Sequence, residues 1–109
     1  MKKRFSVKWT NLAENDLDQI IEYIFSESPS NAWNSFEKIR NSAEELFFFP
    51  ERGRIIPELE GQGIFLFREL VVSPWRIMYR ISQQCVYVLA VFDSRQNLEN
   101  IILKRIIGN

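Results

Sequence analysis

The chain has 109 residues, 46% of them hydrophobic and 26% charged, which suits one domain (residues 1–109) around one hydrophobic core. Its 14 basic and 14 acidic residues balance, which argues against proteins that hold nucleic acid over a wholly basic surface. The absence of histidine and the single cysteine, Cys85, exclude His-activated nucleophiles and an internal disulfide.

No targeting segment is expected at the start of the sequence. Met1-Lys2-Lys3-Arg4 is basic, but the residues that follow are too polar for the apolar part of a signal peptide. No apolar run approaches the roughly 18 residues that a membrane span requires. We therefore expect a cytoplasmic protein without a membrane partner.

The first half of the chain predicts a strand and two helices. Alternation of Phe5, Val7 and Trp9 indicates a half-buried strand. Asn11 with Glu14 fits a variant of the capping box, so the first helix is expected to begin at Asn11. Its apolar stripe with a 3.6-residue period consists of Ala13, Leu17, Ile20, Ile21 and Ile24.

Ser28-Pro29 predicts the start of a second helix, which Pro50 closes. The short connection predicts that the two helices pack as an antiparallel hairpin. The stripe of the second helix consists of Trp33, Phe36, Ile39, Ala43, Leu46 and Phe47. We expect the tryptophans in the core and at least one ring of the triplet at residues 47–49 at the surface. Residues 51–63, rich in glycine, predict an irregular loop.

The second half predicts an antiparallel meander of three strands at residues 67–72, 75–81 and 86–92. The last of these strands is apolar on both faces, which indicates that both sides of the sheet are covered there. The helical hairpin covers one side only, so the last helix, a second subunit or a partner must cover part of the other. Asn97 is the expected cap of that helix, whose stripe is Leu98, Ile101, Ile102 and Ile106. The predicted class is α+β.

Arginines are the candidate functional residues. They occur in the loop, on the strands and after the last strand: Arg52, Arg54, Arg68, Arg76, Arg80 and Arg95. If several converge, they could hold phosphates of RNA or carboxylates of a partner. The alternative is that they pair with Glu58, Glu60, Glu69 and Asp93 and stiffen the sheet. No cofactor motif or metal-ligand spacing occurs, so no cofactor and no metal are expected.

The order of elements and the residues at their junctions resemble the RelE/ParE superfamily of type II toxin–antitoxin toxins. The motifs that carry the resemblance lie at residues 49–54 (FPERGR), 56–59 (IPEL), 67–72 (FRELVV), 74–81 (PWRIMYRI) and 86–95 (VYVLAVFDSR). The resemblance implies a strand and helical hairpin packed on an antiparallel sheet, with a short C-terminal helix. It also implies a cognate antitoxin that neutralises the protein, with assembly into homo- or hetero-oligomers.

The superfamily has two functional branches. RelE-like members cut mRNA on the ribosome, whereas ParE-like members poison DNA gyrase without nuclease activity. Where RelE-like members often carry histidine after the last strand, this chain has Asp93, and no tyrosine follows Tyr87. The leading hypothesis is therefore a ParE-like, growth-inhibiting toxin of the plasmid-stabilisation type that binds a target protein such as gyrase. In that case the six candidate arginines would contact the target or another partner.

The alternatives stay open. A ribosome-dependent mRNA endonuclease would use Arg54, Arg76 and Arg95 against the phosphates and Asp93 as a weak general base. A third hypothesis is a degenerate member that only binds the antitoxin.

Overall fold

The computed structural model describes residues 5–107, apart from the side chains of Lys104, Ile106 and Ile107. The order of elements is β1 (Ser6–Trp9), α1 (Asn11–Phe25), α2 (Pro29–Glu44), a 3₁₀ turn (Glu45–Phe47), β2 (Arg54–Ile55), α3 (Pro57–Glu60), β3 (Phe67–Val72), β4 (Trp75–Ser82), β5 (Cys85–Asp93) and α4 (Leu98–Ile107). Within this range, no helix combines the length and the apolar character needed to cross a membrane.

One five-stranded sheet organises the fold, in the order β1-β5-β4-β3-β2. The predicted meander β3–β4–β5 is confirmed, with antiparallel pairing throughout. β1 joins β5 in parallel, from Ser6 opposite Cys85 to Trp9 opposite Val88, so the sheet is mixed. This parallel pair is possible because a long connection, which contains the helical hairpin and the strands β2, β3 and β4, separates β1 from β5 along the chain.

A bulge in β5 adjusts which side chains face the hairpin. Met78 pairs with Ala90 and Tyr79 pairs with Val88, which leaves Leu89 as the extra residue. Val88 and Val91 consequently both face the helices, although they lie three positions apart. The bulge therefore accounts for a strand that is apolar without strict alternation.

The main core lies between the helical hairpin and the sheet. Its buried residues are Ala13, Leu17, Ile39, Ala43, Leu46, Leu70, Val72, Ile77, Tyr79, Val86, Val88 and Val91. The second helix begins as predicted, because the Ser28 hydroxyl accepts from the Asn31 N–H and Pro29 is the first helical residue. The predicted exposure in the phenylalanine triplet is confirmed, since the Phe48 and Phe49 rings are 57% and 62% exposed.

Two local predictions on this side are wrong. Thr10, not Asn11, caps α1: its Oγ1 accepts from the Ala13 N–H at 3.2 Å and donates to the Val88 carbonyl at 3.0 Å. The cap thus also fastens the helix to β5. Trp33 is 61% exposed and stacks on Phe36 at the helix surface, because Ala32 takes the inward position with 2% exposure.

A smaller core covers the opposite face of the sheet. Ile56, Ala90, Phe92 and Leu98 are its buried residues, with Ile101 and Ile102 packed against them. Asn97 caps α4 as predicted, since its Oδ1 accepts from the Glu99 N–H at 2.7 Å. The last helix is therefore the cover on this side; the predicted contribution of Ile106 lies outside the described residues.

The prediction of an irregular loop at residues 51–63 is wrong. Residues Arg54 and Ile55 form β2 and pair with Glu69 and Arg68 of β3. Pro57 then starts the four-residue helix α3. Two-residue strands and single helical turns are too short to show a hydrophobic period, so no pattern in the sequence could reveal them.

Candidate functional site

The arginine cluster, which consists of Arg54 and Arg76, lies on the face of the sheet that α3 and α4 cover. Arg76 of β4 is at its centre and is 7% exposed. Its Nε donates to Glu69 Oε1 at 2.5 Å, and its two terminal nitrogens donate to the carboxylate of Glu58 on α3 at 2.8 Å each. The guanidinium also lies over the Phe92 ring, 5.1 Å from the centroid. Each nitrogen of Arg76 is therefore already bonded inside the molecule.

Glu69 connects this arginine to the loop. The side chain is 1% exposed, and its second oxygen accepts from Arg54 Nε at 2.7 Å. Hydrogen bonds to Glu58 and Glu69 raise the pKa of Arg76, and the Arg76 hydrogen bonds lower the pKa of Glu58. Arg76, Glu58 and Glu69 thus form one hydrogen-bonded network, with two carboxylates around one buried guanidinium.

Tyr79, which the sequence did not single out, holds the loop between the 3₁₀ turn and β2. Its hydroxyl donates to the Pro50 carbonyl at 2.8 Å and accepts from the Gly53 N–H at 2.9 Å. Burial raises the pKa of Tyr79, so the hydroxyl stays protonated and can donate. A Cβ on Gly53 would lie 2.5 Å from the Glu69 carbonyl and 2.6 Å from the Tyr79 hydroxyl, so only glycine fits.

Arg68 and Arg52 complete the bracing of this loop. Arg68 donates to the Gly53 carbonyl at 2.8 Å and lies 3.7 Å from the Glu51 carboxylate. Arg52 bonds the Glu45 carboxylate at the surface. Both candidates therefore have partners within the chain, in keeping with the bracing interpretation of the arginines.

Asp93 and Arg95 form a separate pair after β5. Asp93 accepts from the Arg95 backbone N–H at 2.8 Å and from its side chain at 2.8 and 2.9 Å. The Arg95 side-chain hydrogen bonds lower the pKa of Asp93 to about 2. A carboxylate with so low a pKa is a poor acceptor of protons at neutral pH, which weakens the case for Asp93 as a general base.

Arg80 differs from the other candidates. Of the arginines that the structure describes, it alone has no carboxylate within salt-bridge distance. Its Nε is buried without a hydrogen-bond partner. The six candidates therefore do not converge: Arg54 and Arg76 share Glu69, Arg52 and Arg68 brace the loop, and Arg95 and Arg80 lie elsewhere.

A groove between α1 and α4 was not predicted. Its volume is about 610 Å³, and Leu12, Ile20, Tyr23, Trp75 and Ile101 line it. Asp16 lies in its wall, where it accepts from the Val91 N–H at 3.0 Å and bonds Arg105 of α4. Burial raises the pKa of Asp16. In the sequence Asp16 looks like any carboxylate on the exposed face of α1, so nothing indicates its contacts with Val91 and Arg105.

The sequence and the fold are both similar to those of known proteins. A family model described as "ParE toxin of type II toxin-antitoxin system, parDE" matches residues 7–98. The chain is 33% identical over 86 residues to Toxin RelE2 of Caulobacter vibrioides, covering 78% of this chain and 90% of that protein. A solved structure titled "Chromosomal ParDE TA system from P. aeruginosa" superimposes with a TM-score of 0.69 at 22% identity, covering 84% of this chain and 97% of that one. At that identity the structural match speaks for the fold alone.

Proposed function

The chain belongs to the ParE toxin family within the RelE/ParE superfamily of type II toxin–antitoxin systems, and we propose that it inhibits growth by binding a target protein rather than by cutting RNA. DNA gyrase is the proposed target. A cognate antitoxin neutralises the toxin by forming a hetero-oligomer with it.

The state of the arginine cluster carries this proposal. Arg76, the candidate nearest the centre of the sheet, already donates from each of its side-chain nitrogens to Glu58 or Glu69. Phosphate binding by Arg76 would require breaking a buried ion pair, which costs several kcal/mol. Asp93, the candidate base, is held ionised by Arg95. Arg76 and Asp93, two of the four residues that the endonuclease hypothesis would use, are therefore already bonded within the chain.

Exposed apolar side chains support a protein-binding role. Large rings at the surface include Tyr23 (73% exposed), Trp33 (61%) and Phe49 (62%), and apolar side chains such as Leu12, Ile20 and Trp75 line part of the groove between α1 and α4. Aromatic side chains are enriched at the surfaces through which proteins bind one another. Two partners, target and antitoxin, are consistent with more than one such surface.

A supercoiling assay with purified gyrase tests the target. We expect micromolar toxin to inhibit supercoiling and the product of the adjacent open reading frame to restore it. Unchanged supercoiling at that concentration would remove gyrase from the proposal. Induction in cells with and without the adjacent reading frame supplies the matching control, since growth arrest only in its absence is expected of the pair. Expression without arrest would instead favour a degenerate, antitoxin-binding subunit.

A second candidate is the ribosome-dependent mRNA endonuclease, because one relative carries the name RelE2. Toe-printing in a translation extract distinguishes the two, and the proposal predicts no new cleavage sites. If cleavage occurs, Arg95→Gln is the informative variant: its side chain is 87% exposed, so the substitution removes a phosphate contact without opening the core. Cleavage that Arg95→Gln abolishes would establish the endonuclease.

A further inference from the structure

A row of side chains crosses the sheet on the face opposite the helical hairpin. Lys8 of β1 pairs with Tyr87 of β5, Tyr87 pairs with Arg80 of β4, and Arg80 pairs with Phe67 of β3. Paired residues of neighbouring strands point to the same face, with Cβ atoms about 4.5–5.5 Å apart. The row therefore spans four strands and places one cation on each side of the Tyr87 phenol.

This row has unused capacity for hydrogen bonds and charge. Lys8 is exposed, and Tyr87 and Arg80 are half-buried. Arg80 has no carboxylate partner among the described residues, in contrast to Arg76 on the same strand. A half-buried guanidinium without a counter-charge binds an anion more strongly than an exposed lysine does, because less water screens it. Among the described residues, no carboxylate therefore pairs with either cation of the row.

The surface beside the row is apolar. Ile64, Phe65 and Leu66 are 41%, 60% and 50% exposed, and they lead directly into Phe67, the end of the row. α4 and its core cover the sheet at Ala90 and Phe92, at the other end of β5. Cations next to exposed apolar groups form a surface that matches an acidic segment carrying apolar residues.

The helical hairpin carries an excess of negative charge. The helical hairpin carries mostly acidic groups (Glu14, Asp16, Asp18, Glu22, Glu27, Glu37, Glu44 and Glu45, against Lys38 and Arg40). An acidic segment is repelled there and attracted to the row. Nucleic acid fits the row less well, since strong binding of a phosphate backbone needs many cations and the row offers two.

We propose that Lys8, Arg80 and Tyr87 bind carboxylates of an extended acidic segment of the antitoxin, whose neighbouring apolar side chains pack on Ile64, Phe65 and Leu66. This rests on the proposed function, because it assigns a docking surface to the neutralising partner. The row is about 14 Å long, from the spacing of four strands, which corresponds to four or five residues of extended chain.

The test measures the affinity of the full-length chain for the purified product of the adjacent reading frame by isothermal titration calorimetry. Lys8→Gln and Arg80→Gln are each expected to weaken binding about tenfold, the usual effect of losing a charge-assisted hydrogen bond. Arg80→Lys, which keeps the charge, should lose less. Lys38→Gln is the matched control, since Lys38 carries the same charge change on the hairpin side and bonds only the Ser73 carbonyl.

Added salt and a second probe separate the remaining outcomes. Raising the NaCl concentration should weaken antitoxin binding by the unaltered chain more than binding by Arg80→Gln. The variant already lacks the charge of Arg80, so it has less electrostatic attraction for salt to screen. If Lys8→Gln and Arg80→Gln bind the antitoxin as tightly as Lys38→Gln does, this docking surface is refuted and the proposed function is unaffected. No complex with the unaltered chain would contradict the proposed function itself. If a single-stranded RNA decamer instead loses affinity on Arg80→Gln while the antitoxin does not, the row binds phosphate and the proposal is wrong.

Discussion

Replacement of Arg76 by alanine tests whether the buried network serves the fold. The substitution leaves Glu69, with 1% exposure, bonded only to Arg54, whose side chain is 60% exposed. Glu58 is 41% exposed and regains water, so the main cost falls on Glu69. Breaking a buried ion pair costs about 3–5 kcal/mol, and the remaining bond to Arg54 places the expected loss near the lower value.

A loss of about 3 kcal/mol is a large part of the 5–15 kcal/mol that stabilises a small domain, and it raises the unfolded fraction by about two orders of magnitude. Urea unfolding followed by tryptophan fluorescence measures it. In the double variant Arg76→Ala/Glu69→Gln the buried charge disappears. Its free energy of unfolding should therefore fall by less than the sum of the decreases in the two single variants, with a difference of about 1 kcal/mol or more. Arg52→Ala, at a surface pair, is the control and should cost at most about 1 kcal/mol.

If Arg76→Ala unfolds at nearly the same urea concentration as the unaltered chain, the network does not stabilise the fold. Full stability combined with loss of growth inhibition would be the sharper contradiction. It would mean that Arg76 acts on a partner and that its two carboxylates are dispensable.

The remaining predictions concern the loop and the pair after β5. Gly53→Ala should destabilise the protein by about 2 kcal/mol or more, because its Cβ would overlap the Glu69 carbonyl and the Tyr79 ring; thermal unfolding measures this, and an unchanged midpoint would show that the loop yields freely. Tyr79→Phe should cost about 1–3 kcal/mol in urea unfolding, since it leaves the buried Gly53 N–H without its acceptor; a loss below 0.5 kcal/mol, on the order of a neutral surface change, would count against that bond. Carboxyl NMR should give Asp93 a pKa of about 2, and Arg95→Gln should return it towards 3.8. Because the folded-state pKa is depressed, Asp93 stabilises the fold above pH 3.8, and this contribution is lost as the pH falls from 3.8 to about 2. An ordinary pKa in the unaltered chain would restore Asp93 as a candidate base.

The sequence predicts most of the architecture, because long alternating or helical patterns report which face is buried. The meander, the hairpin and the cap of α4 at Asn97 all follow from such patterns. The parallel pairing of β1 does not follow, since β1 reads as a half-buried strand whichever neighbour it takes. The cap at Thr10 does not follow either, because Asn11 and Glu14 match a capping box in the sequence, whereas the contact of Thr10 with Val88 exists only after folding.

The candidate site was less predictable for a physical reason. Whether an arginine is available depends on carboxylates that the fold brings to it, and these lie 7 and 18 positions away for Arg76. Arg80 lacks such a partner, yet it occupies a similar alternating position on the same strand. Pattern alone therefore identifies the cationic face, and only the three-dimensional arrangement separates braced arginines from the unpaired one.

The pairing of β1 with β5 also determines when the protein can become active during its synthesis. Ser6 and Thr10 bond to Gln84 and Val88, so the N-terminal strand has no place in the sheet until almost the whole chain has left the ribosome. The hairpin can form early from local contacts, but its apolar face has no sheet to cover until then. Truncated products of interrupted translation consequently lack the finished sheet, and an antitoxin made in the same cell meets a complete toxin or none.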